Sequence, residues 1–169
     1  MRKAIILDTS ILCVWLRVPG KETCGPDGNR WTFDSVKQKI DSEIKAGSTL
    51  IMPLTSIIET GNHIAQAHGD KHDVVNSFVE HIENAIDGNV PWAAFTEQSG
   101  LIDSEALKKT LSAWKETALA GQSFGDALIV AVAKYYAAYN ITVEIFTGDM
   151  GLKAYEPAAP KGPQPRRRK

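Results

Sequence analysis

The chain has 169 residues, with 19 Lys and Arg against 20 Asp and Glu, 43% apolar side chains and thirteen glycines. That length suits one domain, and a chain of this size can bury about 70% of the surface it exposes when unfolded, so disulfides, structural metals and a disordered or fibrous body are all unnecessary. The near-neutral total hides an asymmetry: Lys161, Arg166, Arg167, Arg168 and Lys169 fall in an acid-free tail, leaving residues 1–156 at a formal charge of −6.

In chain order, Ala4 to Leu7 is a short continuous apolar run, the pattern of a strand buried on both faces of a parallel sheet. It ends at Asp8-Thr9-Ser10 and leads into a helical stretch from Ile11 to Arg17, which Pro19-Gly20 breaks. Val18 to Arg30, dense in Gly, Pro, Asp and Asn, reads as a loop. Phe33 to Ala46 predicts a helix with Val36, Ile40 and Ile44 on one face and Gly47 as its stop. Leu50 to Met52 predicts a second buried strand, with Pro53 at its end. Helices follow over Ser56 to Ala67 and His72 to Ile86, whereas Asn89 to Phe95 is ambiguous because Pro91 argues against a central strand.

Farther on, Ser104 to Leu119 predicts a helix with an apolar face of Leu107, Leu111, Trp114 and Ala118, ended by Gly121. Ser123 opens the most hydrophobic helix, which runs to Tyr139 with Asn140 as its cap. Thr142 to Thr147 predicts a third strand, and Gly148-Asp149 follows it directly. Residues 1–156 therefore form the domain, and 157–169 a flexible, basic, Pro-rich tail. Strands alternating with helices imply an α/β fold, a small and mostly parallel sheet flanked by helices on both faces.

Two cysteines, Cys13 and Cys24, are too few for a disulfide scaffold and lack the repeated pairs of a zinc site. Asp8 interrupts the first apolar run too early for a signal peptide, and the longest apolar run, Ala127 to Ala133, is too short to span a membrane. The expectation is a cytoplasmic protein with no membrane partner.

Ligands of such folds bind at the carboxyl ends of the strands. Asp8 and Asp149 follow strands, while Glu59 and Asp126 stand in the first turns of helices whose N-termini belong to the same edge. All four are thus expected to face one crevice. Ser56-Ile57-Ile58-Glu59 and Ser123-Phe124-Gly125-Asp126 also fit the capping box, a structural use for those two acids. Like charges about 5 Å apart repel by about 3 kcal/mol at an effective dielectric of 20, so a crevice of ionised acids calls for protons or a divalent cation. An all-oxygen set suits Mg²⁺ or Mn²⁺, with metal-assisted phosphodiester hydrolysis as the chemistry.

Leu7-Asp8-Thr9-Ser10, Ser56-Ile57-Ile58-Glu59, Phe124-Gly125-Asp126-Ala127 and Phe146-Thr147-Gly148-Asp149 occur in the order seen in PIN-domain ribonucleases. The sequence resembles that family, including its VapC-type toxins, over residues 4 to 152. The resemblance implies a PIN-like three-layer α/β/α fold and an endoribonuclease using Mg²⁺ or Mn²⁺. It implies catalytic roles for Asp8, Glu59, Asp126 and Asp149, with Asp8, Asp126 and Asp149 holding metal and the hydroxyls of Ser10 and Thr147 in support. RNA would be the substrate. A toxin would need an antitoxin over the crevice, with an Arg among the carboxylates, and a homodimer is a further expectation.

Asn62 and His63, three and four residues after Glu59, are candidate substrate contacts, as are Arg166, Arg167 and Arg168 through phosphate. His68, His72 and His81 are expected to be solvated or packed, and Trp15, Trp31, Trp92 and Trp114 to serve mainly as core anchors. The Val18–Arg30 loop and the long stretch from His72 to Ala120 exceed a minimal toxin of the family. A haloacid-dehalogenase-type phosphatase would need an Asp where Ser10 stands, and no phosphate-binding glycine loop occurs. A PIN-fold scaffold with little catalysis and a DNA-directed nuclease remain the alternatives.

Overall fold

The computed structural model describes residues 3–160. Its centre is a parallel sheet of β1 (Lys3–Leu7), β4 (Thr49–Ile51) and β5 (Thr142–Phe146) in the order β4-β1-β5. β1 pairs Ile5 with Leu50 on one side and with Glu144 on the other. The continuous apolar run has its physical reason here, because a central strand faces a core on both sides. Ile5 and Leu7 join one core with Leu12, Val36, Ile40 and Phe78, while Ala4 and Ile6 join the other with Ile129, Ala133 and Tyr136. Full burial of each such Ile or Leu is worth about 1.5–3 kcal/mol.

The first core lies under α1 (Thr9–Trp15), α2 (Phe33–Lys45), α3 (Leu54–Gln66) and α4 (His72–Asp87), and the second under α6 (Phe124–Ala138) and α7 (Met150–Lys153). The expected α/β layering is present. No helix among the described residues is long and apolar enough to cross a membrane.

Several local expectations change. α1 begins at Thr9, before Ile11, because the Asp8 carboxylate accepts from the Ser10 amide as an N-cap. The expected loop contains a short antiparallel ladder, β2 (Thr23–Cys24) with β3 (Trp31–Thr32). Asn89 to Phe95 resolves into an edge: the Leu50 amide donates to the Pro91 carbonyl at 2.8 Å and the Ala93 amide to the Leu50 carbonyl at 2.9 Å. Pro91 has no amide to offer, and an edge position demands none there. A 3-10 helix, Phe95–Leu101, follows it.

α5 (Ser104–Ala118) departs most from expectation, since none of its residues is buried and Leu111 is exposed. It packs along α6 with a cavity of about 410 Å³ between them, lined by Trp114, Val130 and Tyr135 among others. Trp114 is anchored instead by its indole N–H, which donates to the Gln122 carbonyl at 2.8 Å, and by an edge-to-face contact with Phe124. Asn140 adopts φ 61° just past α6, as a left-handed cap should.

Candidate functional site at the carboxyl edge of the sheet

Because β1, β4 and β5 are parallel, their carboxyl ends share one edge, and the N-termini of α1, α3, α6 and α7 return to it. Asp8, only 7% exposed, is the best-held acid there. Its Oδ2 accepts from Ser10 Oγ at 2.6 Å, Thr147 Oγ1 at 2.7 Å and the Ser10 amide at 3.3 Å. Each hydroxyl then accepts from the turn after β5: Ser10 Oγ from the Gly148 amide at 3.0 Å and Thr147 Oγ1 from the Asp149 amide at 2.9 Å. The two hydroxyls fasten the end of β1 to the end of β5 and leave Asp8 Oδ1 without a protein donor among the described residues.

Gly148 is part of this clasp. A Cβ there would meet the Gly25 amide nitrogen at 2.7 Å and Cys24 Sγ at 2.8 Å, so only glycine lets the β2–β3 hairpin sit against the turn. Burial pushes the Cys24 thiol up, partly offset by its hydrogen bond with Ser10, and pushes the Cys13 thiol up to about 11, so neither is a ready nucleophile.

Glu59, expected in the first turn of its helix, stands one turn deeper, and the alternative capping box with Ser56 is not formed. Pro53 is the N-cap, α3 starts at Leu54, and Ser56 lies inside the helix with its hydroxyl buried and unpartnered. Freed from capping, the Glu59 carboxylate accepts from Thr9 Oγ1 at 2.8 Å through Oε2. Its Oε1 lies against Gly125 so closely that a Cβ on Gly125 would collide with it. Residue by residue, Thr9 and Gly125 therefore position Glu59 between α1 and α6. The signal for Thr9 was its place between Asp8 and Ser10, but its long-range partner was not readable from local spacing.

Asp126 does make the expected capping box: its amide donates to Ser123 Oγ at 3.0 Å, and its Oδ2 accepts from the Ser123 amide at 3.3 Å. Asp149 caps α7, with Oδ1 accepting from Gly151 at 2.6 Å and Leu152 at 3.3 Å. The edge thus gathers Asp8, Ser10, Thr147 and the Gly148-Asp149 backbone in one cluster and Glu59 in a neighbouring one. Among the described residues no three His, Cys, Asp or Glu side chains converge as a metal-binding group. Asn62 is exposed and His63 half-buried on α3, while Arg166, Arg167 and Arg168 lie outside the described residues.

What the four acids share is electrostatic. None makes an ion pair among the described residues, and each uses one carboxylate oxygen for a protein hydrogen bond while the other has no protein donor. Elsewhere the same chain neutralises its partly buried acids. Lys3 Nζ lies 2.5 Å from Glu43 and 2.6 Å from Glu144, and Lys39 Nζ 2.6 Å and 3.0 Å from the same pair. Burial alone would raise Glu43, yet hydrogen bonds from Lys3, Lys39 and Ser48 take it down to about 2. The donor set at the carboxyl edge, hard oxygens with spare lone pairs and no cation, fits Mg²⁺ or Mn²⁺ in chemistry, although Asp126 and Asp149 would have to turn from their caps or bind through water.

No family model, curated protein or solved structure matches the chain.

Proposed function

We propose that the chain is a PIN-like, Mg²⁺- or Mn²⁺-dependent endoribonuclease whose site is the carboxyl edge of the sheet. The observation that carries this reading is that Asp8, Glu59 and Asp126, each buried or half-buried, meet no cation among the described residues, whereas Glu43 and Glu144, also buried or half-buried, are paired with lysines. Asp8, Asp126 and Asp149 would hold the metal, directly or through water, and the ion when bound supplies Lewis acidity and a more acidic water. Ser10 and Thr147 fix the Asp8 carboxylate by donating to one oxygen, so the other keeps a constant direction. Glu59, oriented by Thr9, would accept a proton from the attacking water as that water approaches phosphorus. Among the described residues no Lys or Arg pairs with these acids, so the negative field that would repel RNA would be answered when cations arrive.

A second reading, a PIN-fold scaffold with little catalysis, is favoured by one observation: Asp126 and Asp149 both serve as helix caps. The test is cleavage of single-stranded RNA and matched DNA with Mn²⁺ by the native chain and by Asp8→Asn. Asp8→Asn is expected to lose cleavage by about a hundredfold or more. Equal rates would sink the assignment, preferential DNA cleavage would change the substrate, and an inert native chain would favour the scaffold.

A further inference from the structure

α4 carries more apolar surface than the fold uses. An amphipathic surface helix needs one stripe toward its core, and α4 has that stripe in Val74, Phe78 and Ala85, all buried. It also carries a second. Val75, Val79, Ile82 and Ile86 recur at spacings of four, three and four, the repeat of a helix–helix seam. Val75, Val79 and Ile86 are 43%, 45% and 56% exposed, and Ile82 is half-buried with one side against the core. At 100° per residue the second stripe lies about a quarter turn from the first, and the eleven rises from Val75 to Ile86 make it about 16 Å long. Scattered exposed aliphatics need no explanation, but a continuous seam marks an interaction surface.

The charges beside the seam narrow the occupant. α4 contains Asp73, Glu80, Glu83 and Asp87 and no Lys or Arg. On the same helical wheel these acids fall on the flank away from the core, and among the described residues none makes an ion pair. Glu83 and Asp87 sit toward the helix C-terminus, where negative charge opposes the macrodipole, so they do not stabilise the helix that carries them. A second copy of the chain would set this acidic flank against itself. The segment 161–169 brings basic charge but no aliphatic side chain for the seam.

We infer that the outer face of α4 docks an amphipathic helix of another protein, apolar along one seam and rich in Lys or Arg along its margin. The seam buries Val75, Val79 and Ile86, and the basic margin answers Glu80, Glu83 and Asp87. This surface is separate from the carboxyl edge and stands whatever chemistry that edge performs.

The test uses the full chain and a synthetic helical peptide with leucines at heptad a and d positions and lysines on one flank, beside a scrambled peptide of the same composition. The heptad peptide is expected to bind and to slow hydrogen exchange over residues 72–87. Val79→Ser with Ile86→Ser should weaken it about tenfold or more, and Glu80→Gln with Glu83→Gln about threefold, with a flatter salt dependence in the latter pair. Both pairs are exposed, and circular dichroism checks that each variant is folded. Absence of binding, equal binding of the scrambled peptide, or protection elsewhere than 72–87 would overturn the inference. So would a dimer in sedimentation that Val79→Ser with Ile86→Ser dissolves, which would give the seam to a second copy.

Discussion

Asp8 shows how much a single residue can integrate. It ends β1, caps α1, and receives two hydroxyls that each reach back to the turn after β5. Its position after an apolar run was legible in the sequence, whereas Ser10 and Thr147 were pointed to only by the family resemblance. The role of Thr9 was not legible, because a hydrogen bond between residues fifty apart leaves no trace in local spacing. Gly125 stands inside the Phe124–Ala127 motif, and its missing side chain makes room for Glu59. Gly125→Ala should therefore displace the Glu59 carboxylate and lower RNA cleavage about tenfold. Stability should stay within about 1 kcal/mol, since Ala is the better helix residue and Glu59 is flexible. Parallel cleavage and denaturation measurements check this, and unchanged cleavage would remove Glu59 from the mechanism.

At the scale of elements, the strands and most helix spans could be read because buried parallel strands are apolar runs and glycines mark helix ends, as Gly47 and Gly88 do here. The start of α3 could not be read from its capping pattern: Pro53 starts the helix ahead of Ser56. The apolar pattern of α5 predicts the helix and its face but not how deeply that face is covered: Leu107, Trp114 and Ala118 are half-buried and Leu111 is exposed. α4 combines the two lessons. On its inner side His81 stacks on Trp15 at 4.5 Å and leans on Trp92 at 5.6 Å, so it serves packing. Burial lowers the His81 pKa from its ordinary 6.5. The neutral ring is thus the folded form: its contribution is complete above pH 6.5 and declines below it, as the unfolded chain takes up the proton first. The urea midpoint should fall between about pH 7.5 and about pH 5.5, and His81→Gln should flatten that slope. A slope identical in the variant would assign it to other groups.

Across the whole molecule, the acids meet cations unevenly. Glu43 and Glu144 are locked to Lys3 and Lys39, whereas Asp8, Glu59, Asp126 and Asp149 meet no cation among the described residues. Part of the −6 carried by residues 1–156 is then the candidate site itself. If that site cuts RNA, the five basic residues of 157–169 would serve as phosphate contacts for an otherwise acidic domain. Deleting 157–169 should flatten the salt dependence of RNA binding while leaving cleavage in place, and an unchanged salt slope would show that the tail does not touch the substrate.

The layered architecture was legible as a whole because alternation of strands and helices admits few arrangements. The direction of each carboxylate was not, because capping and metal binding ask for the same residues at the same helix starts. Calorimetric titration of the native chain and of Asp8→Asn with Mn²⁺ separates those two uses. Saturable binding by the native chain, lost in Asp8→Asn, is the predicted result. No binding to the native chain, or the same isotherm for both, would contradict a metal site at the carboxyl edge.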